Sequence, residues 1–272
     1  MHVKKIISIL SLSILLTSCF YGCSTNNLSS AKTSISSTKK SNKKIVVLAA
    51  ASLTESFNEI ATNFKKDTGI SVSFDYAGSQ QLESLINQGT TADVFASAST
   101  KNMDNVKNSK LVSSPAIFVK NKIVVCENKN SKIKISKLSD LGQSGLNLVI
   151  ADKSVPVGQY FYKVLDSNNI TSEEKSHILN NVKSNELNVK DVVSKVLLGE
   201  ADAGIVYKTD INKQNMSKLN TIDLKEFNSI TAKYPISVIN SSKDKSSAKR
   251  FINYVMSNKG RTILKNHGFT LP

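Results

Sequence analysis

Two serines in the first third of the chain have the surroundings needed for one kind of chemistry. Ser52 lies in Ala49-Ala50-Ala51-Ser52-Leu53-Thr54, and Ser79 lies in Tyr76-Ala77-Gly78-Ser79-Gln80. Each follows an apolar or alternating run and opens a helical pattern. A strand-to-helix junction of this kind aims unpaired backbone N–H groups and a hydroxyl at one point, which suits a small anion. Gly78 lets the backbone come close to a ligand. Ser52 has a second reading as a helix cap, because Glu55 three residues later completes a Ser-x-x-Glu capping box. The two readings make different demands on Glu55. At the helix start its carboxylate would take up a donor and repel a dianion, so in a binding site it has to turn away.

Later segments offer more donors. Ala151-Asp152-Lys153-Ser154-Val155-Pro156-Val157-Gly158 is a loop feeding a helix. Pro156 sits near the helix start, where its missing N–H costs nothing, and leaves the N–H of Val157 to point outward. Asn188-Val189-Lys190 opens another helix and offers the N–H of Val189. Tyr207 ends a strand, with a phenol long enough to reach into a cleft. Hydroxyl and N–H groups at helix ends can satisfy a tetrahedral dianion without lysine or arginine. A protonated oxyanion would need an acceptor, which this set lacks.

Catalysis has no evident base. His2 lies in the leader, His177 on a polar helix and His267 near the C-terminus, and neither of the latter pairs with an acid in a nucleophile-activating pattern. The aspartates and glutamates lack metal-ligand spacing. The chain therefore reads as a binder and not an enzyme, with no catalytic residues, no cofactor and no direct ligands for a metal cation. A secreted hydrolase built on Ser52 or Ser79, and a structural surface lipoprotein, are the competing readings.

The elements around these residues follow an α/β rhythm. Ile45 to Ala50 is a short apolar strand; Leu53, Phe57, Ile60, Ala61 and Phe64 recur at helical spacing up to Gly69. Ile70, Val72, Phe74 and Tyr76 alternate as a strand, Leu82, Leu85 and Ile86 mark a helix closed by Gly89, and Val94 to Ala96 is a strand again. In such a layer ligands bind beyond the carboxyl ends of the strands. The long apolar run from Ile117 to Cys126 crosses into a second series: strand 146–151, helix 158–165, helix 189–198 stopped by Gly199, and strand 203–207. Strand 234–239 and a stripe of Ala248, Phe251, Ile252, Val255 and Met256 then return to the first. Two lobes with two crossings make a hinge over a cleft. One continuous sheet is the alternative.

The 272-residue chain has a net charge of +15. Lys4 and Lys5 precede an apolar run from Ile6 to Leu16, a secretion signal too short to span a bilayer. The run ends at Leu16-Thr17-Ser18-Cys19, which resembles a lipoprotein cleavage motif with Cys19 as the lipidated residue. The segment 24–44, almost all Ser, Thr, Asn and Lys, reads as a flexible tether. The expected organisation is thus a signal peptide over 1–18, a tether over 19–43, a first lobe from 44–119 and 231–272, and a second lobe from 120–230. Export and the absence of basic–aromatic interleaving argue against nucleic acid as a partner. Cys126, in a buried strand, is the only cysteine of the globular part, which excludes a disulfide framework. No self-association stripe stands out, so a monomer is expected.

Ala49 through Thr54, Ala92-Asp93-Val94-Phe95-Ala96-Ser97, Ala151 through Tyr160, Gly199 through Tyr207, Tyr234-Pro235-Ile236 and His267-Gly268-Phe269 occur in order over 44–272. In these segments the chain resembles the periplasmic molybdate-binding protein family of molybdate ABC importers. The resemblance implies a type II periplasmic-binding-protein fold and an exported lipoprotein on the outer face of the cytoplasmic membrane. It also implies molybdate or tungstate as ligand, and a membrane permease with ATPase subunits as partners. The oxyanion would be held by hydroxyl and N–H of Ser52 and Ser79, by N–H of Val157 and Val189, and by the phenol of Tyr207. Sulfate, phosphate or chromate are alternative ligands of the same class. Val157 stands where the family usually has Ala, Gln80 where it often has a small hydroxyl residue, Lys153 for a frequent proline and Leu187 for a frequent acidic residue. None of these removes a donor.

Overall fold

The computed structural model describes residues 43–167 and 170–272. The signal peptide, Cys19 and the tether up to residue 42 lie outside the described residues.

Runs of apolar residues buried on both faces form parallel strands, and the amphipathic segments between them form the helices that cover those faces. The first lobe opens with β1 (Lys44–Ala50), a 3-10 turn at Ala51–Leu53 and α1 (Thr54–Thr68). β2 (Ser71–Ala77), α2 (Ser79–Asn87), β3 (Val94–Ala96), α3 (Thr100–Asn108) and β4 (Ala116–Asn121) follow. The chain then builds β5 (Ile123–Asn128), β6 (Leu148–Ala151), α4 (Pro156–Leu165), α5 (Ser172–Asn180), β7 (Val182–Glu186), α6 (Val189–Leu198), β8 (Ala203–Tyr207) and β9 (Leu219–Ile222). β10 (Ala232–Val238), α7 (Lys245–Met256) and α8 (Asn258–Asn266) complete it.

The strands form two five-stranded sheets, β2-β1-β3-β10-β4 and β7-β6-β8-β5-β9. The sheets share one plan. Three strands run parallel, the fourth in order (β10 or β5) is antiparallel to them, and the edge strand (β4 or β9) pairs antiparallel with the fourth and so runs in the direction of the first three. The molecule is a two-lobed α/β protein of the type II binding-protein architecture, not one continuous sheet. The apolar run expected to cross between lobes does so by breaking: β4 ends in the first sheet at Asn121, Lys122 intervenes, and β5 starts the second at Ile123. The chain returns between β9 and β10.

Alternation along β1 sorts the first lobe's core. Ile45, Val47 and Ala49 join Phe57, Phe64, Phe118 and Phe251 on one side, while Leu48 joins Leu82, Ile86, Phe95, Met103 and Val106 on the other. Phe251 meets Phe57 and Phe64 edge-on, at 5.9 and 5.4 Å between ring centroids, which ties α7 to α1. Gly69 and Gly199 end α1 and α6 in the left-handed region, at φ of 75° and 80°, as their positions in the sequence predict. β7 and β9 are too polar, and α3 too rich in Asn and Lys, to stand out from the sequence alone. Cys126 is fully buried and free; burial first, then Asp210 and Glu127, pushes its thiol up to about 12.

Phe251→Ala should lower stability by about 3–5 kcal/mol through the cavity it leaves among three phenylalanines. Equilibrium urea unfolding measures this, and a loss below about 1 kcal/mol would mean that α7 is not a keystone of the first lobe.

Candidate functional site

The site is built from strand ends. β1, β2 and β3 of the first sheet, and β6, β7 and β8 of the second, all point their carboxyl ends into the space between the sheets. Ser52 follows β1, Ser79 follows β2 and Ala98 follows β3; Val157 follows β6, Val189 follows β7 and Tyr207 ends β8. All six line one small cavity, together with Ala50, Ala51, Ala77, Gly78, Val155 and Pro156. The structure thus gathers all five residues singled out in the sequence. None of the twelve lining residues carries a charged side chain, and no histidine is among them.

Each helix start is arranged so that one donor stays free. At α2, Gly78 occupies the cap and Ser79 is the first helical residue, so its N–H has no acceptor within the helix. The Ser79 hydroxyl oxygen accepts from the N–H of Ala98 at 2.9 Å, which leaves its own hydrogen to donate. At α6 the Asn188 carboxamide oxygen caps the N–H groups of Lys190 and Asp191 at 2.9 and 3.1 Å and leaves that of Val189 uncapped. At α4, Pro156 occupies the first helical position and Val157 the second. Gly158 seats this turn tightly: a Cβ there would lie 2.1 Å from the Asp152 carbonyl oxygen. The Tyr207 hydroxyl is buried and has no hydrogen-bond partner among the described residues. Burial, with Tyr234 and Tyr160 nearby, holds this phenol well above its ordinary range, so it remains a neutral donor.

Ser52 departs from the capping-box reading. Its residue sits in the 3-10 turn, α1 begins two residues later at Thr54 with Leu53 at the cap, and no side chain caps that end. The Ser52 hydroxyl instead lies 2.9 Å from the phenol of Tyr234. Glu55 turns away from the cavity, and each of its oxygens accepts from Lys190 Nζ at 2.9 Å. Lys190 also lies 3.2 Å from Asp210, whose side chain is fully buried and whose other oxygen accepts from the N–H of Tyr207. Lys190 therefore ties the second lobe to the first. Burial pulls its pKa down, but Asp210 and Glu55 outweigh burial and hold the ammonium above its ordinary value. Two further contacts bridge the cleft. Gln80 Nε2 donates to the Leu187 carbonyl at 2.9 Å, and a Cβ on Gly78 would come within 2.4 Å of that same oxygen.

Sequence reasoning missed Tyr234 and Lys190 as parts of this assembly. Tyr234 lies on the antiparallel β10, far along the chain, and no local pattern links it to Ser52. Lys190 directly follows Val189, and its charge gave no sign that it would be spent on two carboxylates.

A cleft between two α/β lobes, lined by neutral donors from strand ends, defines a solute-binding protein. The family model for bacterial extracellular solute-binding proteins matches residues 45–270, and the chain belongs to that family. The molybdate-binding protein ModA of Mycobacterium tuberculosis is 37% identical over 232 residues, 85% of each chain. A candidate ABC transporter substrate-binding lipoprotein of Bacillus subtilis, YvgL, is 30% identical over 260 residues, 92% of each chain. Among solved structures, the substrate-binding domain of a candidate molybdenum ABC transporter from Clostridium difficile aligns with a TM-score of 0.62 at 28% identity. It covers 85% of this chain and 100% of that one. The resemblance to the molybdate-binding family read from the motifs holds, and membership of a solute-binding family makes this a binder and not a catalyst.

Two outcomes follow from the cleft contacts. Gly78→Ala is compatible with the backbone φ of −61° but forces its methyl against the Leu187 carbonyl, so the lobes should part. Small-angle scattering should give a larger radius of gyration with an unchanged circular dichroism spectrum; an unchanged radius would mean that Leu187 yields instead. Glu55→Gln should cost roughly 1 kcal/mol at pH 7. The raised Lys190 contributes stability that is complete below its ordinary value of 10.5 and is lost as pH rises through its higher folded value. Urea unfolding across pH should therefore show the gap between wild type and E55Q closing above pH 10.5.

Proposed function

We propose that this protein binds molybdate or tungstate, as the fully deprotonated dianion, in the cleft between its lobes and delivers it to an ABC permease with its ATPase subunits. The observation that carries this reading is the convergence of uncharged donors from five strand ends on one small cavity. The named molybdate-binding relatives support the choice of ligand. On this reading Ser52 and Ser79 each give a hydroxyl and an N–H, Val157 and Val189 each give an N–H, and Tyr207 gives its phenol. Donors at helix ends carry partial positive charge toward the anion, and exclusion of water on closure strengthens each bond. Because the contact at Val157 is through the backbone, a larger side chain than alanine leaves it in place and changes only the wall of the pocket.

The same reading makes the protein a monomer, anchored through a lipidated Cys19 to the outer face of the cytoplasmic membrane and tethered by the segment up to residue 43. The lipoprotein relative supports the anchor. The lobes, expected as 44–119 with 231–272 and as 120–230, divide on this reading at Lys122, since β4 stays in the first sheet through Asn121, and between β9 and β10, and they close about those two crossings. A permease that contacts the rims of both lobes would sense closure.

Calorimetric titration of the purified protein with molybdate, tungstate and sulfate in one buffer tests the reading. Molybdate and tungstate should bind tightly and sulfate weakly, since the smaller ion makes longer bonds in a cavity sized for the larger ones. Ser79→Ala should weaken molybdate about tenfold to a hundredfold, the range for a hydrogen bond to a charged group. Sulfate binding as tightly as molybdate, or S79A binding like wild type, would overturn the assignment.

A further inference from the structure

We propose that Tyr234 is a positioning residue for the cleft: its phenol donates to the Ser52 oxygen and so turns the Ser52 hydroxyl hydrogen toward the bound ligand. This rests on the oxyanion reading above and goes beyond it, because Tyr234 is not among the residues that line the cavity.

The direction of donation follows from what each group is able to do. The Tyr234 oxygen lies 2.9 Å from Ser52 Oγ and 3.4 Å from Asn121 Nδ2. An amide NH2 only donates, so the phenol oxygen accepts from Asn121, and its single hydrogen must find an acceptor. Among the described residues Ser52 Oγ is the one acceptor that meets it in hydrogen-bonding geometry; the phenol of Tyr207, whose ring lies 5.7 Å away between centroids, makes no such bond. Asn121 is itself fixed. Nδ2 also donates to Thr209 Oγ1 at 2.8 Å, and its carboxamide oxygen accepts from the N–H of Lys122 at 2.9 Å. Asn121 ends β4, beside the crossing into the second lobe, and Thr209 lies beyond it, so the chain of donors starts where the lobes join. It runs Asn121 to Tyr234 to Ser52 to ligand, through side chains almost wholly removed from water. A reversed bond, with Ser52 donating to Tyr234, would leave the phenol hydrogen without a partner in a buried site, which is costly.

Ser79 is oriented in the same sense by different means. There the N–H of Ala98 occupies the hydroxyl oxygen and frees the hydrogen. Both serines are thus filled on the acceptor side by the first lobe and are left as donors. A cavity that presents only hydrogens discriminates against an anion that carries a proton of its own. At Ser79 that polarity is written into the backbone; at Ser52 it depends on one removable hydroxyl.

The test is a double-mutant cycle read by calorimetric titration of molybdate into the full chain, using Tyr234→Phe, Ser52→Ala, Ser79→Ala and the pairs, with thermal melts of each unliganded variant. Y234F should bind about tenfold more weakly than wild type. In the S52A background it should cost nothing further, whereas with S79A its cost should persist in full. A merely structural tyrosine would weaken binding equally in every background. Full additivity of Y234F with S52A, or Y234F binding like wild type, would overturn the proposal. If Y234F does not fold, Asn121→Ala takes its place. It should weaken molybdate about two- to fivefold, again only when Ser52 is present, and equal loss in the S52A background would overturn the relay. The wild-type titration separates the two levels. A wild type that binds neither molybdate nor tungstate ends the function proposed above and this inference with it; a wild type that binds while the cycle is additive ends this inference alone.

Discussion

A backbone N–H in the first turn of a helix has no acceptor in its own helix, and burying one without a partner is costly. This protein brings several such groups together in one place. Both sheets are wound so that three parallel strands end facing the other lobe, and helices start there at Ser79, Pro156 and Val189, with the 3-10 turn that carries Ser52 beside them. At α6 the Asn188 side chain caps the N–H groups of Lys190 and Asp191 and leaves that of Val189 free, while α2 and α4 start at Gly78 and Val155 with no side-chain cap. The rest of the architecture serves that convergence. The shared plan of the two sheets places β1, β2 and β3 opposite β6, β7 and β8. Two crossings join the lobes, and the phenylalanine cluster packs α1, which follows the Ser52 turn, against α7.

Much of this was legible in the sequence, for a definite reason. Buried parallel strands are short apolar runs, and Ile45 to Ala50 and Ala203 to Tyr207 announce themselves without help from the rest of the chain. Their ends are where ligands bind in an open α/β layer, so the residues following them were the ones to examine. What stayed hidden was anything set by tertiary contact. Ser52 with Glu55 satisfies a local capping pattern, yet the helix starts only at Thr54 and the Ser52 hydroxyl lies against Tyr234, 182 positions along the chain. The polar β7 and β9 are strands because neighbouring strands pair with them; their own residues do not demand it. Lys190 looked like one more surface lysine in a basic chain and lies between two carboxylates of different lobes.

The treatment of charge follows from the same constraint. A fixed cation in the cavity would attract any anion and would hold it against release. The ammonium of Lys190, next in sequence to Val189, is instead engaged by Glu55 and Asp210, and no charged side chain lines the cavity wall. Lys190 then joins the lobes without competing for the ligand. It sits one residue past Val189, so the helix start that offers an N–H to the cavity is the one the ion pair pins across the cleft. Closure and donor placement are set on a single turn of α6.

Neutral donors bring a different difficulty, because hydroxyls rotate and can accept as readily as donate. A site meant for a fully deprotonated anion has to settle that choice before the ligand arrives, or part of the binding free energy is lost in ordering it. Backbone N–H groups settle it by their nature, and the Tyr207 phenol is kept protonated by burial. The two serines are the ambiguous members. Each has its oxygen engaged from behind: Ser79 by Ala98, and Ser52, on the reading argued here, by Tyr234. The contacts lying just behind the cavity wall therefore decide what the wall can recognise. On that reading residues that never touch the ligand bear on its selectivity, and a hydroxyl on β10, reached only after the chain has left the first lobe and returned, belongs to a site whose other parts follow strands elsewhere in the two sheets.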